Sequence, residues 1–401
     1  HTIFIVMSPI IFLVSISSVL RGYFQGRSNM VPPAASTVAE TVIRAIAVLV
    51  FASLLLPYGL EYAAAGAMGG VLLGEFGALL VLVFTFRRSR LPQTAAGMPP
   101  GKPVPLRRRR LIRRFLHITI PVTASKLVGS ASYFLESIMI IQSLAVIGVA
   151  ASVATAQYGA LQGMVMPILL IPTALTYSLS VSLVPALSEA AARDDLRTIH
   201  KRLHQSLRLA LVSGAPFAAA FYVLAVPLCT YLYKDASVAP MLQLFAPVAV
   251  FVYLQAPFQA ALQALDRPGT ALLNTFIGAA VKLILIYVLG AKLSMGIYGA
   301  VLAICVNIVL VTVLHWRSVG ELLGFRMRAE DFLKVGFGTG MMTLTILALN
   351  RYAPLTGFGG FVLAVLCAAV VYLICMVKLG LIDADDLRRI PWIGSRIAPR
   401  R

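Results

Sequence analysis

Residues 30–50 read MVPPAASTVAETVIRAIAVLV, and residues 270–289 read TALLNTFIGAAVKLILIYVL. Each is an apolar run of about 20 residues, the length at which a helix crosses the hydrocarbon core of a bilayer. Each also follows a turn bearing Gly and Arg, and sliding one on the other by 238 residues sets Ser36 on Asn274 and Arg44 on Lys282. Identity between the two is slight. Their weight comes from position, because they lie six spans apart and face the same way, as a duplicated six-helix bundle demands. Parallel repeats with substrate bound between the halves are a recurring transporter plan.

The rest of the chain agrees with that class. It has 401 residues, 59% of them hydrophobic and only 12% charged. A soluble domain is nearer 45 to 50% apolar with about a quarter charged, so the expected fold is an all-α polytopic membrane protein. Apolar runs bounded by charge, Gly or Pro predict eleven spans, near 2–20, 36–57, 62–86, 115–142, 157–185, 208–233, 240–263, 270–290, 295–316, 332–350 and 357–379. The apolar stretch 143–156 is short and reads as a loop or a helix extension. Pro121, Pro167, Pro172, Pro216, Pro227, Pro247 and Pro257 predict kinks. Cys229, Cys305, Cys367 and Cys375 all sit in apolar runs, so they predict neither a disulfide framework nor a metal knuckle.

A net charge of +19 would suggest nucleic acid in a soluble chain; here it reads as topology. Of the 34 Lys and Arg, 28 fall in gaps on one side, and only Lys234, Lys292 and Arg351 on the other. That asymmetry makes the first side, and the C-terminus, cytoplasmic. The chain begins outside in this reading, at His1 within an apolar run and with no signal peptide. The expectation is that earlier spans precede it.

Three cytoplasmic segments differ in kind. Residues 87–114 mix Pro, Gly and an Arg run, and read as a flexible polybasic linker. The stretch SEAAARDDLRTIHKRLHQSLR sets Leu196, Ile199, Leu203 and Leu207 on one face, which predicts a helix lying along the membrane surface. Residues 380–401 form a basic tail. His200 and His204 have i, i+4 spacing without the Glu of a metalloprotease helix, and Asp383, Asp385 and Asp386 have no catalytic domain around them; neither is read as a metal site.

Ionisable groups within spans are costly, and so they face a cavity or a partner. Glu40 and Arg44 stand one turn apart in the favourable order for an ion pair, which admits either a structural pair or a substrate role. Glu75 lies in GGVLLGEFG, a small-residue face suited to close packing, and is either a proton carrier or a packing residue. Glu136 is a third intramembrane acid, coupling or structural. Lys126 and Lys282 have no acid three or four residues away, so both are expected to face a cavity.

The residues SVLRGYFQGRSNMVPPAASTVAETVIR, with LVPALSEAAARDDLRTIHKRLHQSLRLAL, LQALDRPGTALLNTFIGAAVKL and LRRIPWIG, carry a resemblance that covers nearly the whole chain. They resemble the stage V sporulation protein B group, in the polysaccharide flippase branch of the multidrug/oligosaccharidyl-lipid/polysaccharide (MOP) exporter superfamily. Thr37 and Thr41 stand where the group tends to have Gln, and Pro33 where Thr is usual. The resemblance implies a fourteen-helix, two-lobe fold of which this chain is an N-terminally truncated remnant. Residues 1–86 are then family helices 4 to 6, 115–316 the second six-helix lobe, and 332–379 an extra helix pair.

The function implied is a cytoplasmic-membrane flippase that moves a lipid-linked oligosaccharide or peptidoglycan precursor by alternating access, in spore cortex or cell-wall synthesis. Arg44, Lys126 and Lys282 are the available cations for its pyrophosphate. The expectation includes no cofactor, no metal, no nucleic-acid partner, and a coupling ion, H⁺ or Na⁺, left open. Two alternatives stand beside it: a cation-coupled multidrug exporter of the same superfamily, and a membrane glycosyltransferase or polymerase acting on lipid-linked sugars. The last would need a carboxylate in a sizeable external loop, and the external gaps are short.

Overall fold

The computed structural model describes residues 2–27, 29–89, 108–352 and 357–381. The parts of the predicted linker at 90–107 and of the tail at 382–401 lie outside the described residues. Every regular element among those described is helical: α1 Thr2–Met7, α2 Ile10–Gly26, α3 Val31–Leu55, α4 Leu60–Ser89, α5 Arg108–Val146, α6 Ala151–Ala160, α7 Met166–Leu170 and α8 Thr173–Ala192. They continue as α9 Leu196–Val223, α10 Ala225–Tyr233, α11 Ala239–Phe245, α12 Ala249–Ala264, α13 Pro268–Leu285, α14 Ile297–Leu323, α15 Ala329–Tyr352 and α16 Gly357–Lys378. Eleven helical stretches among the described residues are long and apolar enough to cross a membrane. The chain is a multi-pass membrane protein.

It divides into two compact units, residues 1–105 and 106–401. In the first, α3 and α4 pack along their whole length because α4 presents Gly66, Gly70, Gly74 and Gly77 on one face. A Cβ on Gly70 would stand 2.5 Å from Val48 N, and one on Gly66 2.7 Å from Phe51 O, so only glycine lets the two backbones approach. Much of the remaining apolar surface of α2 and α3 is open, with Ile11, Val19 and Leu49 all more than 70% exposed.

In the second unit α13 packs on α5 and α14, α12 joins α14 to α8 and α9, and α15 lies on α9 with α16 beside it. Tyr253 and Phe245 fill one apolar core, with Ile140 and Leu169. Leu203, Leu207, Phe258 and Met376 fill the other. Tyr253 Oη donates to Leu169 O at 3.0 Å and Tyr372 Oη to Val212 O at 2.7 Å, so each buried phenol has its acceptor.

Three expectations change. The stretch 143–156 is neither all loop nor all extension: α5 runs to Val146, residues 147–150 turn, and α6 starts at Ala151. The span predicted at 157–185 straddles a break, since a helix from Ala151 to Ala192 would be roughly 60 Å long, twice the hydrocarbon thickness. The chain bends at Ile171 and Pro172 instead, after a π-helical turn at Leu161–Val165.

The predicted surface helix is instead a hairpin of α8 and α9. Asp195 caps α9, its carboxylate accepting from the Thr198 N–H at 3.0 Å, and the Thr198 contacts hold that carboxyl below its usual range. The amphipathic face was legible, but protein rather than membrane surface covers it: Ile199, Leu203 and Leu207 are buried, and Leu196 is exposed. Of the prolines, Pro121, Pro216 and Pro257 lie inside helices, as does Pro185.

Candidate functional site

In the second unit a cavity of about 330 Å³ opens among α5, α7, α12, α13 and α14. Ser125, Lys126, Ser132, Tyr133 and Glu136 reach it from α5, at the spacing of one helical face. Lys282 and Thr275 come from α13, Gln255 and Gln259 from α12, Asn307 and His315 from α14.

Glu136 and Lys282 are joined here. Lys282 Nζ donates to Glu136 Oε2 at 2.5 Å, and the residues are 4% and 1% exposed respectively. Gln162, from the π-helical turn, donates to the other carboxylate oxygen at 2.9 Å. The Tyr133 ring lies 5.1 Å from the ammonium, a cation–π contact on the remaining side. Both carboxylate oxygens therefore have donors, which is what a buried pair needs.

Lys282 was read from its neighbours in sequence as unpaired. The acid comes from another helix, which spacing along one helix does not reveal. Lys126 is exposed at the same cavity and has no ion-pair partner among the described residues. Ser132 Oγ and His315 Nδ1 are buried at the cavity without hydrogen-bond partners among those residues.

The first unit gathers the other three predicted residues. Glu40 accepts from Arg44 through Oε1 and from Arg21 through Oε2, the latter at 2.6 Å, while Arg44 Nη2 lies 3.7 Å from Glu75 Oε1. Gly74 permits this: a Cβ there would stand 2.9 Å from Arg44 Cβ. Arg21 was missed as a site residue because it falls just past the predicted span 2–20, among the basic residues counted for topology, whereas α2 runs on to Gly26. Two arginines and two carboxylates balance, whereas the cavity of the second unit holds Lys126 and Lys282 against Glu136.

The aligned repeat positions have parallel surroundings. Arg44 on α3 and Lys282 on α13 each hold a buried carboxylate, and the two helices begin within a residue of the shift that aligns them.

Comparison with known proteins fixes the family. The polysaccharide biosynthesis protein family matches residues 1–191. Over 397 residues the chain is 38% identical to stage V sporulation protein B of Bacillus subtilis (strain 168), covering 98% of this chain and 75% of that protein. The chain belongs to the stage V sporulation protein B group.

Solved structures agree on the fold. Lipid II flippase MurJ in an inward closed conformation superposes with a TM-score of 0.63 at 17% identity, over 94% of this chain and 74% of that one. An outward-facing MATE family multidrug resistance transporter of the MOP superfamily gives 0.62 at 14% identity, over 80% and 69%. Lipid II flippase MurJ of Bacillus subtilis (strain 168) is 25% identical over 71% of this chain and 54% of that protein. With these relatives the chain is a membrane transporter and not an enzyme, which removes the glycosyltransferase and polymerase alternative. Fold alone does not separate a flippase from a drug exporter.

Proposed function

We propose that the protein flips a lipid-linked sugar pyrophosphate, a peptidoglycan precursor or related oligosaccharide, from the inner to the outer leaflet of the cytoplasmic membrane by alternating access. The observation that carries this reading is the charge of the second unit's cavity: two lysines face it against one carboxylate, and that carboxylate is already held by Lys282 and Gln162. A cationic drug would meet net repulsion there. An anionic pyrophosphate would meet Lys126 first, in a low-dielectric setting where charge-assisted hydrogen bonds are strong.

Gln255, Gln259 and Asn307 line the same cavity and offer neutral amides of the kind that bind sugar hydroxyls. The lipid tail stays in the bilayer while the head group crosses. The relatives support the substrate class, since stage V sporulation protein B and lipid II flippase MurJ are its named likenesses. A role in spore cortex synthesis follows the first of these. The 28-to-3 distribution of basic residues supports a cytoplasmic C-terminus.

Binding tests the reading directly. The purified protein should bind a polyprenyl-pyrophosphate-linked disaccharide at least tenfold more tightly than the same lipid with a neutral linkage, and Lys126→Gln should erase most of that preference. Tighter binding of an organic cation, unaffected by Lys126→Gln, would favour the drug exporter.

A further inference from the structure

Where α9 passes from its basic first turns into the apolar stretch beginning at Leu209, a second cavity of about 440 Å³ opens. Its first wall is one face of α9, carrying His200, Lys201, His204 and Arg208. The opposite wall is the connection from α14 to α15. Gly324, in the left-handed region at φ +64°, ends α14 and reverses the chain. Phe325 and Met327 then pack into the apolar core. Extended alternation turns Arg326 and Arg328 the other way, and the former lines the cavity with the latter.

The walls are tied together. His200 Nε2 lies 2.9 Å from Leu323 O, and its ring meets Phe325 edge-on at 5.9 Å. The concavity is thus fixed by packing rather than by the long side chains that fill it.

Its charge is one-sided. Lys201, Arg208, Arg326 and Arg328 line it, and no carboxylate does. Of the acids close by, Glu321 holds Arg317 at 2.7 Å and Glu330 holds Lys334 at 2.5 Å, while Asp331 lies 3.1 Å from His204 of the α9 wall, one carboxylate beside four basic side chains. Lys201, Arg326 and Arg328 have no ion-pair partner among the described residues. Like charges held around one concavity repel unless an anion joins them. The cavity also sits where the apolar stretches of α9 and α14 give way to basic residues, and such an end of a spanning helix is where a bilayer presents its phosphates.

We infer that this cavity is a binding site for the phosphate of an anionic lipid, separate from the transport cavity and independent of the transport reading. Either a bulk phospholipid or a polyprenyl pyrophosphate lipid carries that chemistry.

The test is lipid binding by the full chain in neutral detergent, read by native mass spectrometry and by thermal shift. Cardiolipin, a polyprenyl pyrophosphate, inorganic pyrophosphate and phosphatidylcholine are the probes. Wild type should bind cardiolipin or the polyprenyl pyrophosphate, the tighter of the two naming the source, and phosphatidylcholine should not compete. Lys201→Gln/Arg326→Gln/Arg328→Gln should weaken binding at least tenfold, and Arg326→Gln/Arg328→Gln should weaken it less while keeping the lipid-free melting temperature. All three side chains are exposed, so folding is expected to survive. Equal affinity of wild type and both variants would overturn the site. So would tight binding by inorganic pyrophosphate alone, or binding that appears only after Asp383, Asp385 and Asp386 are changed to Asn, which would make the chain's own acidic tail the occupant.

Discussion

Lys282 and Glu136, 146 residues apart in sequence, meet inside the second unit, each from a helix apolar enough to span a membrane, with 2.5 Å between ammonium and carboxylate. Each is buried, so the pair is one unit: taking away either charge strands the other in a medium where it cannot be solvated. The stability of the second unit therefore depends on this contact, whatever its part in transport.

Lys282→Met should destabilise the protein by about 3–5 kcal/mol, the usual cost of breaking a buried pair from one side. Lys282→Met with Glu136→Leu should recover most of it. Unfolding of the purified variants in detergent reads both, and additive losses in the double variant would show that the two residues do not interact.

Lys126→Gln should behave differently. Its ammonium is exposed and unpaired among the described residues, so stability should stay within about 0.5 kcal/mol of wild type, while transport falls. A stability loss matching that of Lys282→Met would mean that Lys126 has a structural partner.

In the first unit, Gly70→Ala would place a methyl group 2.5 Å from Val48 N and 2.7 Å from Ala47 C, both backbone atoms that cannot turn aside. Overpacking of this kind costs about 1–3 kcal/mol, and abundance in the membrane should fall. Gly336→Ala, with nothing within 4 Å of the added carbon, is the control and should be neutral.

Orientation is checked by labelling in a background free of the four natural cysteines. Lys234→Cys and Arg351→Cys should react with an impermeant maleimide from outside, and Arg326→Cys should not. The reverse pattern would invert the topology drawn from the basic residues.

How much of this was legible before the structure depends on the range of each interaction. Span count came through because a helix in lipid must satisfy its backbone internally over a fixed length, a constraint local to each run. The Gly70, Gly74 and Gly77 face and the Glu40–Arg44 pair were also visible, since partners three or four residues apart share a helix face. What spacing could not show were contacts between helices: Glu136 for Lys282, Gln162 for Glu136, Arg21 for Glu40. The hairpin of α8 and α9 was misplaced for a related reason. An apolar stripe of Ile199, Leu203 and Leu207 looks the same whether lipid or protein covers it. Pro172 marked a kink, but the span drawn at 157–185 ran through it because the residues on both sides are apolar.

The most direct test of the central claim is leaflet accessibility in liposomes. A fluorescent lipid-linked disaccharide bearing a pyrophosphate is distributed in both leaflets with the protein present, and an impermeant quencher is added outside. The account predicts that protein-containing vesicles pass the protected inner pool to the quencher far faster than empty vesicles, and that Lys126→Gln slows this markedly. Equal quenching kinetics with and without wild-type protein would contradict it.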